Sequence, residues 1–260
     1  MDRGSVVMAC ACMFLAGLSA CAGNDRGAVT GSDAELESEY TADVAELAGT
    51  EAALVALTAV AAETPEEAAK NAADNASEAY GDCVEVSSTG SQVLIEFEGC
   101  SGQWGVVALS GTLQANYQLD GVDDLFATLQ VDVEANYAQI SFEASVGYAA
   151  VGASQSLSVT SKGRGVGYRG AELGHTSDYV VTVADSCLSV DGKFSGSGRY
   201  DWSTVISGYQ ACTGACPAPG GMVTRSGPVR TVKLSFDGSG TAAWSTDNRS
   251  GSLSLACGLF

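Results

Sequence analysis

Hydrophobic and polar residues alternate along most of the chain beyond residue 83. In residues 107–119, Val, Leu, Ala and Tyr share one parity, and Ser, Thr, Gln and Asn take the other. The two-residue period recurs in 129–137, 140–148, 179–183, 194–206, 232–236 and 253–257. This period is typical of antiparallel strands with one face buried and one in water. We therefore predict a mainly β fold, an antiparallel sandwich or rolled sheet of about ten strands.

Short polar and glycine-containing segments separate these runs and predict turns. They are Asp120-Gly121, Asp191-Gly192, the segment 237–240 and the segment 248–251. Near Ala138 the apolar parity changes, which requires either a bulge or a tight turn.

The segment 32–81 has a helical period instead. Ser32 to Glu35 matches a capping box, and Leu and Val recur at helical spacing up to Leu57, which predicts a helix over 33–62, with a break at Gly49 as an alternative. Thr64 and Pro65 are a strong signal for a second helix, from 65 to about 79 and ending at Gly81. We expect both helices to pack against the sheet.

Acidic residues dominate the charge of the chain. There are 31 acidic and 12 basic residues, for a net charge of −19, and residues 83–161 carry 9 acidic residues and no basic one. Such a chain is repelled by nucleic acid and by anionic lipid headgroups, so no nucleic-acid partner is expected. The pattern predicts one strongly anionic face, and a solvated acidic surface is favoured over a dedicated cation site.

The N-terminus has the features of an export signal. Residues 6–18 are apolar over a length that suits a signal peptide rather than a membrane span. They end in Leu18-Ser19-Ala20-Cys21, which resembles the lipobox of bacterial lipoproteins. The resemblance implies a signal peptide over 1–20, lipid on Cys21 as a membrane anchor, and a tether over 21–31. Ala22, rather than Asp, implies the outer membrane. The alternatives are an ordinary secretory signal cleaved near Ala20 and an uncleaved anchor.

Six cysteines remain after the signal segment and Cys21 are set aside. An even number in an exported chain indicates disulfides, but six cysteines allow 15 complete pairings. Local closure favours three pairs, each of which brackets its own β segment: Cys83 with Cys100, Cys187 with Cys212, and Cys216 with Cys257. The rival pairing joins Cys212 to Cys216, which lie close together in one predicted loop.

Two motifs resemble binding sites without the context that such sites need. Residues 165–170 match the GxGxxG pattern, but the sequence predicts a strand after it where a dinucleotide site needs a helix. A flexible turn is therefore favoured, and no cofactor is expected. Asp120, Asp123 and Asp124 form a weak candidate calcium site, but they lack the spacing of an EF-hand loop, and a solvated turn is favoured.

Candidate catalytic and ligand-binding residues are few. His175 is the only histidine, so a Ser-His-Asp site would have to be built within residues 175–178, and there is no GxSxG motif. We therefore expect no enzyme. Four aromatic residues lie where a sugar or an apolar ligand could stack, but their positions favour ordinary core: Trp104, Tyr200, Trp202 and Trp244.

A second resemblance concerns the whole exported region. The Ala-rich helix, Phe97-Glu98-Gly99-Cys100, Ser110 to Leu113 and the ending FDGSG…LAC are similar to uncharacterised β-rich lipoproteins of Gram-negative envelopes. The change of period divides the chain into an acidic, Ala-rich helical segment over 32–81 and a disulfide-containing antiparallel β domain over 82–260. The resemblance supports this architecture. It attaches no functional residues.

The function expected from these features is that of a non-enzymatic, membrane-anchored envelope lipoprotein. It would act as a binding or structural module for an unknown envelope protein or small ligand. One alternative is a carrier that encloses a small apolar ligand or lipid in its rolled sheet. A second alternative is a hydrolase that uses His175.

Overall fold

The computed structural model describes residues 33–101, 104, 106–120, 124–151, 154–184, 187–197, 201–228 and 230–259. The predicted signal peptide 1–20, the lipobox with Cys21 and the tether 21–31 lie outside these residues.

Two helices open the described chain, α1 over Asp33–Leu57 and α2 over Pro65–Tyr80. The Thr64 hydroxyl accepts the Glu67 amide at 3.2 Å, and the Glu67 carboxylate accepts the Glu63 amide at 3.0 Å. This reciprocal cap confirms the predicted start of α2, and Gly81 ends the helix as expected. α1 ends earlier than residue 62 and runs through Gly49 without a break.

Thirteen strands follow the helices. The residue pattern produces them because most of the strands alternate buried and exposed side chains. Their bounds are β1 Val84–Thr89, β2 Gln92–Cys100, β3 Leu109–Asp120, β4 Asp124–Ala135, β5 Ala138–Val151, β6 Ser154–Val166, β7 Glu172–Ala184, β8 Cys187–Ser197, β9 Trp202–Cys212, β10 Met222–Ser226, β11 Thr231–Phe236, β12 Thr241–Ser245 and β13 Ser250–Ser254. Short 3₁₀ turns lie at Gly81–Cys83 and Ala256–Leu259.

The strands form one sheet in which spatial order equals chain order, from β1 at one edge to β13 at the other. Every pair of neighbours is antiparallel. The predicted class, an antiparallel β fold with two packed helices, is confirmed. Of the two forms predicted, the single sheet corresponds to the rolled sheet, and it has thirteen strands where the sequence predicts about ten.

One predicted turn is also wrong. Asp191 and Gly192 lie inside β8, where the register with β9 shifts after Val190. Gly192 serves close packing, because a Cβ there would lie 2.4 Å from the Cα of Tyr179. The chain instead reverses between β8 and β9, after Ser197, which splits the run predicted over 194–206.

The parity change near Ala138 is a tight turn. β4 and β5 are joined by Asn136 and Tyr137 alone, with φ of 52° and 62°. Two consecutive residues at positive φ are the backbone of a type I′ hairpin, whose twist matches that of the flanking strands.

The sheet curves round α1. Five successive helix residues from Thr41 to Ala45 are buried, so every side of the helix is covered. Strands β5 and β7 to β11 all contact α1, while α2 packs on β1, β2 and β3. The inward side chains of the strands and both helices share one apolar core.

Three disulfides join the pairs expected from the sequence: Cys83–Cys100, Cys187–Cys212 and Cys216–Cys257. Cys187 and Cys212 are cross-strand partners in β8 and β9. Cys100 reaches Cys83 because the β2 register shifts after Phe97, beside Gly99 at a φ of 66°. The rival pairing of Cys212 with Cys216 is not formed.

Candidate functional site

The turn between β6 and β7 holds a carboxylate from α1. Asp43 accepts the backbone amide of Arg169 at 3.2 Å and that of Ala171 at 3.4 Å, and the Arg169 guanidinium at 2.7 Å. Gly167 leaves the space for it, since a Cβ there would lie 2.4 Å from Asp43 Cγ. Gly170 closes the turn at a φ of 82°.

This turn is the GxGxxG motif of residues 165–170. The prediction that a strand follows it is confirmed, because β7 begins at Glu172. The prediction of a plain flexible turn missed its role. The motif does bind an anion with its backbone amides, but that anion is the Asp43 carboxylate of the same chain.

Arg169 lies between two carboxylates. Its guanidinium also contacts Glu46 at 2.6 Å and the backbone carbonyl of Ser254, and Glu46 accepts the Ala256 amide at 2.6 Å. Burial raises the pKa of Asp43 and of Glu46, against the attraction of Arg169. Burial alone would disfavour the charged guanidinium, but the two carboxylates offset it and the pKa of Arg169 is raised.

The candidate catalytic residue His175 is enclosed. Its Nε2 lies 2.9 Å from Glu51 of α1, and the same carboxylate accepts the Tyr179 hydroxyl at 2.9 Å. The His175 side chain is 1% exposed and that of Glu51 0%. His175 Nδ1 has no hydrogen-bond partner among the described residues.

The sequence segment 175–178 is divided between the two faces of β7. His175 and Ser177 point inward, whereas Thr176 and Asp178 are exposed. The Ser177 hydroxyl lies 2.5 Å from that of Ser161. Asp178 therefore cannot orient His175, and Glu51 occupies that place. Sequence reasoning missed Glu51, although its position before the apolar residues 52–57 was a signal.

A third charged contact lies near the start of α1. The Arg225 guanidinium, with a side chain 4% exposed, donates to Glu37. It lies 4.4 Å from the ring centroid of Tyr40, and the Tyr40 and Trp202 rings meet edge to face at 6.2 Å. The Tyr40 hydroxyl donates to the Glu172 carbonyl at 3.4 Å. Burial raises the pKa of Tyr40, and the charge of Arg225 opposes this.

The remaining sequence candidates are dispersed. Trp104, Trp202 and Trp244 are buried, as predicted, while Tyr200 and Asp123 lie outside the described residues. Asp120 and Asp124 are cross-strand partners and exposed. Within the described residues, no three His, Cys, Asp or Glu side chains come together to hold a metal ion.

A groove of about 1240 Å³, here called the outer groove, lies beside Tyr40. It crosses the ends of β3 to β8, and Tyr40 lines it as the single residue from α1. Its outward polar side chains include Ser110, Asp132, Glu134, Gln139, Arg164 and Glu172.

Strand register explains why these side chains meet. Asp132 pairs with Ser141, Ser141 with Arg164, and Arg164 with Gly174, which places them in one row across neighbouring strands. Gly174 adds no side chain to the row. Asp132, Ser141 and Arg164 also line a second depression of about 610 Å³, so the polar surface continues along the sheet.

Comparisons with known proteins find no likeness: no protein-family model and no curated protein matches the sequence, and no solved structure matches the fold. Among the described residues, neither helix is both long and apolar enough to cross a membrane.

Proposed function

We propose that the protein is a membrane-anchored envelope lipoprotein that acts as a non-enzymatic binding module, with the outer groove as its binding surface. The observation that carries this proposal is the contrast between an open groove at the surface and an interior that α1 occupies. An open groove of about 1240 Å³, lined in part by exposed polar side chains, crosses the ends of β3 to β8, while α1 fills the space enclosed by the sheet.

The lipid anchor of the proposal rests on the lipobox resemblance at Cys21. Eleven residues, 22–32, separate Cys21 from the start of α1 at Asp33. An extended chain of that length reaches at most ~40 Å, so the sheet would stay close to the membrane that holds the lipid.

The two alternative functions fit the geometry less well. A carrier would need space for an apolar ligand inside the rolled sheet, and α1 occupies that space with buried side chains along its whole length. A hydrolase would need substrate to reach His175, whose ring nitrogen Nε2 already contacts Glu51 in the interior. A binding module needs neither an internal space for a ligand nor access to His175.

Membrane fractionation tests the anchor. A Cys21→Ala variant should leave the membrane fraction, because lipidation at this cysteine is lost. Cys12→Ala removes a cysteine from the same signal segment, outside the lipobox, and should remain with membranes. If the Cys21→Ala protein still pellets with membranes in detergent-free buffer, the anchor is elsewhere.

Photo-crosslinking in living cells tests the binding surface. A photoreactive amino acid replaces Ser141 in the outer groove, and Ser235, on an exposed position of β11, serves as the control. Adducts that form from position 141 and not from 235 are expected. Equal yields at both positions, or none at 141, would contradict the use of the groove.

A further inference from the structure

The outer groove presents both hydrogen-bonding groups and apolar surface. Its polar side chains supply carboxylates, an amide, hydroxyls and one guanidinium. The apolar residues Val133, Ile140 and Leu173 also line it. The groove therefore suits a ligand that carries both hydrogen-bonding groups and apolar C–H surface.

The direction of the groove disfavours a peptide strand. It crosses β3 to β8, a distance of ~24 Å at the usual strand spacing. Each of these strands is paired on both sides, so no free sheet edge is offered for an added strand. Recognition along the groove therefore has to use side chains.

Arg164 has donors available for a ligand. It forms no ion pair with another described residue, although Asp132 and Glu134 line the same groove. Together with Glu172, the groove carries three carboxylates and one guanidinium. Carboxylates accept and Arg donates, so the row offers both partners that a hydroxyl group needs. The excess of carboxylates repels an acidic ligand.

Tyr40 provides an aromatic surface at one end of the groove. Its ring is fixed by Arg225 on one face, by the edge contact with Trp202 and by the hydrogen bond to the Glu172 carbonyl. A rigid tyrosine offers an apolar face and a polar tip at little cost in side-chain entropy. Such a ring suits the C–H face of a sugar.

We infer that the outer groove binds an uncharged carbohydrate chain, with the carboxylates and Arg164 on its hydroxyl groups and Tyr40 against one sugar ring. This inference rests on the proposed function and names its ligand class. It explains why the groove combines a row of hydrogen-bond donors and acceptors with apolar surface and an aromatic ring.

Calorimetry on the detergent-solubilised full chain tests the inference with three neutral probes: chitohexaose, cellohexaose and maltohexaose. At least one should bind saturably with a Kd below about 1 mM. Arg164→Ala and Glu134→Gln should each weaken that binding about tenfold or more, equivalent to ~1.4 kcal/mol. Lys233→Ala and Glu85→Gln, exposed and outside the groove, should leave it unchanged.

Failure of the ligand class and failure of the groove give different results. If none of the three oligosaccharides binds, or if the groove and control variants behave alike, the carbohydrate inference is overturned. Binding of hexalysine that is lost in Glu134→Gln would also overturn it, while leaving a binding groove in place. Absence of crosslinks from position 141 would remove the proposed function itself.

Discussion

The carboxylate of Asp43 accepts the backbone amide of Arg169 at 3.2 Å, across 126 positions of sequence. A residue in the middle of the first helix is thus bound by the turn between two central strands. Because the Asp43 side chain is fully buried, the turn and the helix have to fit each other closely. Two predictions concern this contact.

Gly167→Ala should destabilise the fold. The added Cβ would lie 2.4 Å from Asp43 Cγ, so the helix or the turn must shift, at a cost of about 1–3 kcal/mol. Urea unfolding measures the loss. In the control Gly227→Ala, the nearest atom to the new Cβ is 3.7 Å away, and the change should stay within about 0.5 kcal/mol. Equal losses in both variants would show that Gly167 is not a packing position.

Asp43→Asn should change how stability depends on pH. Burial raises the pKa of Asp43 in the folded chain above its ordinary value. The folded state therefore binds this proton more tightly, and the resulting stabilisation is complete below the ordinary pKa of about 3.9 and lost as pH rises through the folded pKa. Asparagine cannot titrate. The free energy of unfolding of the natural chain minus that of the variant should be larger near pH 4 than near pH 7.

Asp237→Asn is a control of opposite sign for the pH experiment. Hydrogen bonds from Ser239 lower the pKa of exposed Asp237, so its stabilisation is present above the ordinary pKa and lost as pH falls. The same free-energy difference should therefore shrink toward low pH. If the difference in unfolding free energy between the natural chain and Asp43→Asn also becomes smaller toward low pH, this would contradict a raised pKa of Asp43 in the folded chain.

Tyr179→Phe should destabilise the fold through Glu51. The hydroxyl donates to Glu51 Oε1 at 2.9 Å in the interior, and its removal leaves a buried carboxylate oxygen without that donor. The expected loss is about 1–3 kcal/mol in urea unfolding. Tyr168→Phe, on a ring 36% exposed, should have an effect below about 0.5 kcal/mol. If Tyr179→Phe leaves the free energy of unfolding unchanged, Glu51 accepts a hydrogen bond from another donor.

Non-reducing tryptic mapping should find three peptides held together. Cleavage after Lys and Arg places Cys187 in 170–193, Cys212 and Cys216 in 200–225, and Cys257 in 250–260. The observed disulfides link the middle peptide to both of the others. A cystine between Cys212 and Cys216 would instead leave the middle peptide unattached, which would refute two of the three pairs.

Local signals in the sequence predicted much of the fold. Thr64 and Pro65 start α2 because the cap satisfies amides that lie within a few residues of one another. The two-residue period located most strands, since most strands here have one buried face. The disulfides followed from chain order, because the sheet is a meander in which near neighbours in sequence are near in space.

Contacts between segments that are distant in sequence could not be predicted from such local signals. The acidic composition predicts a solvated surface, and nothing local exempts Asp43, Glu46 and Glu51 from it, since charged residues are rarely buried without a partner. Their partners Arg169 and His175 lie more than 120 positions away. One signal was present: Gly163, Gly165 and Gly167 alternate on the parity that faces α1, where a Cβ would meet His175, Leu47 or Asp43.

The meander also sets an order of assembly. A chain made from its N-terminus completes α1 first, and each later strand can pair with the one before it as it emerges. Arg169 follows Asp43 by 126 positions in the sequence, and Arg225 follows Glu37 by 188 positions. Both carboxylates are therefore synthesised long before their partners. During that interval the carboxylates remain in water and keep an Ala-rich helix from associating with other chains. The charges that hold the finished helix in place thus protect it while the sheet is still being made.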